Sequence, residues 1–192
     1  YVSDEALHRI VILDREGNSL GQWGEFGDGE GQLNRPSGIA FDADDNMYVA
    51  DTLNHRVQQF TKDGRFLSTW GTFGDGEGHL NMPWGVTVDE LGDVYVADWR
   101  NDRIQKFSHD GRFVFAFGST GEGDGQFNRP SGVAVDLDGD IYVADWGNHR
   151  VQQFTSIGLF VNQWGTEGSG EGEFQSPAGI AIDKDGLVYV AD

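Results

Sequence analysis

Aspartate and arginine recur in a fixed relation that could support chemistry. Asp4, Asp51, Asp98 and Asp145 are each followed five residues later by Arg9, Arg56, Arg103 and Arg150, and Asp192 repeats the aspartate once more. A carboxylate beside a guanidinium can form an acid–base or metal site, or a charge-assisted structural pair. Recurrence decides between them. A group present in every copy does what every copy needs, so the pairs read as clamps around a turn, with the carboxylate accepting turn N–H groups.

Histidine offers a second chemistry. His8, His55 and His149 precede three of those arginines, and Asp102 takes the same position in the remaining copy. Imidazoles suit zinc. Copies one repeat apart point in rotated directions, however, so the expected role is structural or surface, and no metal centre is expected. His109 reads as a solvated turn residue. The stretches Gly24–Asn34, Gly71–Asn81, Gly118–Asn128 and Gly165–Gln175 alternate glycine with acidic residues. They lack the Lys-Ser/Thr pair of a phosphate loop, and their carboxylates repel phosphate. Ca²⁺ suits their oxygen donors better, but a terminal bidentate Glu is missing at the right distance. Solvated connectors are expected, with no cofactor, and Ca²⁺ is the alternative.

A specific site should break a repeat. Trp84 stands where the other copies have Ser37, Ser131 and Ala178. Trp99 and Trp146 replace Glu5 and Thr52. Arg100 and Asp102 share a turn with Trp99. Arg35 and Arg129 stand where Met82 and Ser176 occur elsewhere, and His79 lies in a glycine-rich loop. Exposed Trp beside Arg is the composition of a binding hot spot. These eight residues (Trp84, Trp99, Arg100, Asp102, Trp146, Arg35, Arg129 and His79) are the candidate ligand-binding set, to be weighed against aromatics that merely cap neighbouring units. No catalytic residue is assigned.

The elements that must position them follow from the period. Tyr1, Tyr48, Tyr95, Tyr142 and Tyr189 are spaced 47 residues apart, a spacing typical of stacked or radial arrays. One unit reads as four strands. Strand a is Ile39–Phe41, after Pro36 and Gly38. Strand b is Met47–Ala50, strand c is Arg56–Phe60 and strand d is Arg65–Trp70. No segment has a helical apolar period. The apolar runs of a and b suit burial on both faces, and the mixed pattern of c suits an outer strand. This is an all-β reading, a β-propeller of four-stranded antiparallel blades. Trp23, Trp70, Phe117 and Trp164 end strand d and should wedge between blades. The b–c turns and the d–a loops fall on one face, which is where binding is expected.

Pro130 to Gln152 reads PSGVAVDLDGDIYVADWGNHRVQ. This resembles the NHL repeat, and the resemblance recurs in every copy. It implies a propeller, commonly six-bladed. The chain would supply strands b–d of a first blade (1–33), three whole blades (34–80, 81–127 and 128–174) and strands a–b of another (175–192). The ring is therefore expected to be incomplete, closed by further blades of a longer parent or by a second copy. The chain opens and stops at the same phase of the repeat and reads as a window of a longer array. The missing leader therefore leaves the compartment open, an extracytoplasmic one included.

The net charge of −19 argues against nucleic acid and anionic lipid, both of which require basic patches. No apolar run approaches a membrane span. Cysteine is absent, which removes disulfides and thiolate sites. The expected function is a non-catalytic binding or scaffold module with a protein or small-molecule ligand. The resemblance also implies alternatives: a propeller enzyme such as a metal-dependent lyase or a lactonase-like hydrolase, or an extracellular sensor domain.

Overall fold

The computed structural model describes all residues, Tyr1–Asp192. Seventeen strands form five antiparallel sheets in chain order. The first holds β1 (Val2–Asp4), β2 (Arg9–Leu13) and β3 (Ser19–Trp23). The second holds β4 (Pro36–Phe41), β5 (Asn46–Asp51), β6 (Arg56–Thr61) and β7 (Phe66–Trp70). The third holds β8 (Pro83–Val88), β9 (Val94–Asp98), β10 (Arg103–Phe107) and β11 (Phe113–Phe117). The fourth holds β12 (Pro130–Val135), β13 (Ile141–Asp145), β14 (Arg150–Phe154) and β15 (Phe160–Trp164). The last holds β16 (Gly179–Ile182) and β17 (Val188–Ala191). Each sheet is a plain meander, so neighbours in sequence are neighbours in space. No helix is long and apolar enough to cross a membrane.

The innermost strands of successive sheets touch: β4 packs on β8, β8 on β12 and β12 on β16. The sheets therefore fan about a common axis as propeller blades, and the ring is not closed within this chain. Glycine permits the close approach. A Cβ on Gly38 would lie 2.6 Å from the Trp84 carbonyl oxygen of the next blade, and a Cβ on Gly85 would collide with the Ser131 carbonyl. This explains the glycines two residues after Pro36, Pro83 and Pro130.

Strand a begins earlier than its apolar run suggests. In the three complete blades it starts at the proline, and Pro36 faces Asp51 before a bulge shifts the register ahead of Ile39. The proline needs no donor at this edge position. The b–c turns of the second and fourth blades also contain one-turn 3₁₀ helices, Thr52–Asn54 and Trp146–Asn148. They are too short to show an apolar period.

The core lies between blades. Tyr48, Ala50 and Val57 pack on Leu80 of the loop leading to the next blade and on Val86, Val96 and Phe107 of its sheet. Tyr95, Ala97 and Ile104 do the same against Phe127, Val133, Val143 and Phe154. Strand b is buried from Met47 to Asp51. The strand-d aromatics wedge between sheets: Trp23 meets Phe60 at 4.6 Å between ring centroids, and Phe117 meets Phe154 at 4.8 Å. Burial of each such ring is worth about 2–3 kcal/mol.

Candidate functional site

The face carrying the b–c turns is built by the Asp–Arg pairs. Arg56 Nε donates to Asp51 Oδ2 at 2.8 Å. Its Nη1 donates to the Asp28 carbonyl, and its Nη2 to the carbonyls of Gly29 and Gln32. The planar fork of arginine is thus spread over one carboxylate and three loop carbonyls. Arg103 and Arg150 repeat the pattern. Each guanidinium therefore ties down the glycine-rich loop that enters its own blade.

The carboxylates reach beyond their own turn. Asp51 Oδ2 accepts the side-chain amide of Asn54 from the b–c turn, while Oδ1 accepts from the Asn34 backbone amide of the d–a loop. Asp98 and Asp145 accept likewise from Asn81 and Asn128. The loop amide lies closer because β4 returns beside β5 at Pro36. In the first sheet, Asp4 accepts from the turn amide of Leu7, as expected. The sequence reading also missed a fourth member. Buried Gln58 donates to both Asp51 and the Gln32 carbonyl, and Gln105 and Gln152 do the same in their blades. Their 47-residue spacing was the available signal. Val11 stands there in the first copy, where the Asp4–Arg9 pair is more open. Burial pushes the Asp98 and Asp145 carboxyls above the ordinary aspartate value, while the hydrogen bonds from Asn, Arg and the loop amide pull the other way.

The histidine position is a latch between blades. His8, His55, Asp102 and His149 all take left-handed backbone conformations. His8 Nδ1 accepts from the Arg35 amide and His55 Nδ1 from the Met82 amide, while His149 meets the Gln175 carbonyl. Asp102 accepts from the Arg129 amide at 2.7 Å, and its other oxygen takes the Thr120 hydroxyl. Both oxygens of Asp102 are therefore engaged in the scaffold. His79 occupies the loop position where Gln32 and Gln126 bond the amides of Gly29 and Gly123, and its carbonyl is held by Arg103 and Gln105. It stands apart from the other candidates. The loop carboxylates do not gather: no three His, Asp or Glu side chains stand where one ion could be held.

Five of the candidates do come together. Trp84 and Trp99 pack with ring centroids 6.0 Å apart, at the positions where the second blade has Ser37 hydrogen-bonded to Thr52. Arg100 lies over Trp99 at 5.0 Å. Arg129 bridges blades, 5.1 Å from the Trp99 ring and 5.8 Å from Trp146. The tryptophans are half-buried, not exposed as the sequence suggested, because each leans on its neighbour; Arg100 and Arg129 are exposed. Arg35 is separate and ion-paired with Glu5 at 2.9 Å.

Trp84 also forms a wall of an axial cleft of about 430 Å³, with Ser3, Glu5, Ser37, Ser131 and Ala178. The hydroxyls of Ser37 and Ser131 reach the Trp84 and Pro177 carbonyls of the next blades. Trp84 has no hydroxyl for that stitch. The deeper channel is apolar, lined by residues such as Ile39, Val86, Val133 and Ile180.

The opposite face holds another departure that the sequence reading passed over. In the second and fourth blades a tyrosine hydroxyl bonds the a–b turn aspartate and a strand-c glutamine, as in Asp42–Tyr48–Gln59. Burial and Asp136 push the Tyr142 hydroxyl up to about 12. In the third blade Lys106 replaces the glutamine, paired with Asp89 and Asp93 and lying over Tyr95.

Comparison with known proteins agrees with this architecture. Residues 127–154 and 174–192 match the NHL repeat family, and residues 27–120 match the SMP-30/Gluconolactonase/LRE-like region. No curated protein matches at the sequence level. Among solved structures, the chain is similar to a catalytically inactive virginiamycin B lyase from Staphylococcus aureus with quinupristin, at 17% identity and a TM-score of 0.66. The match covers 96% of this chain and 56% of that one. A protein of unknown function from Bacteroides thetaiotaomicron is 21% identical with a TM-score of 0.67, covering 90% of this chain and 48% of that one. A streptogramin B lyase is 15% identical with a TM-score of 0.57, covering 97% and 70%. The chain thus spans just over half the length of the virginiamycin B lyase, and these likenesses establish the fold.

Proposed function

We propose that this NHL-repeat β-propeller segment is a binding module whose ligand sits at the mouth of the axial cleft, against Trp84, Trp99 and Arg129. The observation carrying this reading is that the array of Trp84, Trp99, Arg100, Arg129 and Trp146 consists entirely of departures from the repeat. Side chains shared by all blades answer to the scaffold, as the Asp51–Arg56 clamp does. The scaffold does not require an array confined to one interface. Paired indoles beside a concave wall provide rigid apolar area at low entropic cost, and the arginines supply orientation.

The ligand is a protein segment or a small molecule. The test is tryptophan fluorescence across a ligand panel, comparing the native chain with Trp84→Ser, the residue used by two other blades. Saturable changes that disappear in Trp84→Ser support the module. A panel that leaves the native spectrum untouched overturns it.

An enzymatic reading, as a lyase or lactonase-like hydrolase, draws on the gluconolactonase-like match and the lyase neighbours. It requires acid–base groups at the axis. Glu5 is the titratable side chain lining the cleft, and it is committed to Arg35.

A further inference from the structure

We infer that Arg100 and Arg129 form a carboxylate-binding site, so that the ligand of the cleft is an apolar or aromatic body bearing a terminal carboxylate. This rests on the binding-module reading and specifies its chemistry.

The repeat supplies an internal control. Arg35 and Arg129 occupy equivalent positions before the strand-a proline, and Glu5 and Trp99 occupy equivalent positions after the strand-b aspartate. At the first interface these positions form an ion pair, Glu5 with Arg35. At the third, Glu is replaced by Trp99, and Arg129 keeps a ring face but has no anion. Its backbone amide is taken by Asp102, while its guanidinium makes neither a hydrogen bond nor an ion pair. Arg100 is in the same condition over the same ring. The Asp102 carboxylate, the nearest on the turn, is engaged by the Arg129 amide and the Thr120 hydroxyl.

Two guanidiniums without counterions over one indole ring stand out in a chain with 32 acidic and 13 basic residues. Stacking on indole leaves the N–H edges of a guanidinium free, and those edges match a carboxylate in bidentate geometry. Trp84, tilted against Trp99 and walling the cleft, gives the attached body an apolar surface.

Calorimetric titration with matched probes tests this: phenylacetate and phenylacetamide, and N-acetylphenylalanine and its amide. Each acid should bind at least about tenfold more tightly than its amide. Arg129→Met and Arg100→Leu install Met82 and Leu53, the residues at the equivalent positions of the interface between the second and third blades. Either should bring the acid-to-amide ratio toward one while leaving melting unchanged. Stronger binding of N-acetylphenylalanine identifies a peptide C-terminus as the source of the carboxylate, and stronger binding of phenylacetate identifies a small acid. Equal binding of acid and amide to the native chain overturns the carboxylate site while leaving the binding module standing. An acid preference that survives both arginine variants overturns it as well. Heat from none of the probes also removes the carboxylate site, and the fluorescence panel then decides the module separately.

Discussion

Arg129 stacks over Trp99 at 5.1 Å across the interface between the third and fourth blades, where two blades earlier Arg35 pairs with Glu5. One backbone geometry thus holds two different side-chain solutions. An exposed ion pair and an exposed cation–π contact are each worth at most about 1 kcal/mol. The exchange is therefore nearly neutral for stability. We predict that Trp99→Glu shifts stability by less than about 1 kcal/mol in urea denaturation and abolishes ligand-induced fluorescence change. A large loss of stability would make Trp99 a structural wedge instead.

The Asp–Arg clamps should differ in strength with burial. Asp51 is fully buried and the Arg56 side chain is 12% exposed, against 25% for Asp4 and 29% for Arg9. Arg56→Ala leaves a buried carboxylate without its counterion and takes a donor from three loop carbonyls, at a cost of about 3–5 kcal/mol. Arg9→Ala should cost about 1 kcal/mol or less. Equal costs in chemical denaturation would contradict the clamp account.

The latch predicts a pH dependence. Burial lowers the affinity of His55 for a proton below the ordinary histidine value of 6.5, against the opposing pull of Asp98. Its neutral Nδ1 accepts the Met82 amide. The unfolded chain then takes up a proton near pH 6.5 that the folded chain resists. The contribution of His55 is complete above that pH and fades as pH falls through the lower folded value. His55→Asp, the solution used by Asp102, should flatten the melting temperature between pH 7.5 and 5. An unchanged slope would place the acid sensitivity elsewhere.

The axial packing can be tested at glycine. Gly38→Ala drives a Cβ against the Trp84 carbonyl and should cost about 1–3 kcal/mol, because backbone cannot yield as a side chain does. At Gly179 the nearest neighbour is the Ala191 Cβ at 3.7 Å, and Gly179→Ala should be tolerated. The reverse order in thermal melts would mean that the inner strands are not held at this distance.

Much of this was legible in the letters. The 47-residue spacing located the strands, the face and the clamp pairs, because a repeated unit reports the needs of its own scaffold. Repeat-breaking residues then marked Trp84, Trp99, Arg100, Arg129 and Trp146, which the fold brings together. Other features escaped because they depend on contacts between blades. Nothing local says that Arg56 reaches back to Asp28 and Gly29, that Asp102 is consumed by the Arg129 amide, or that His79 keeps to its own loop. Gln58 and Lys106 were readable by the same rule of recurrence and departure. They were missed because mixed polar residues in strand c looked like an ordinary outer strand.

The most direct measurement is saturation-transfer NMR with one fragment library on two proteins. One is the native chain. The other is Trp84→Ser, Trp99→Thr, Trp146→Thr and Arg129→Met combined, which restores residues found in the equivalent positions of other blades. The native chain should yield a set of acidic aromatic fragments that the restored chain loses while its melting stays within a few degrees. If the restored chain binds the same fragments, the departures from the repeat are not the site.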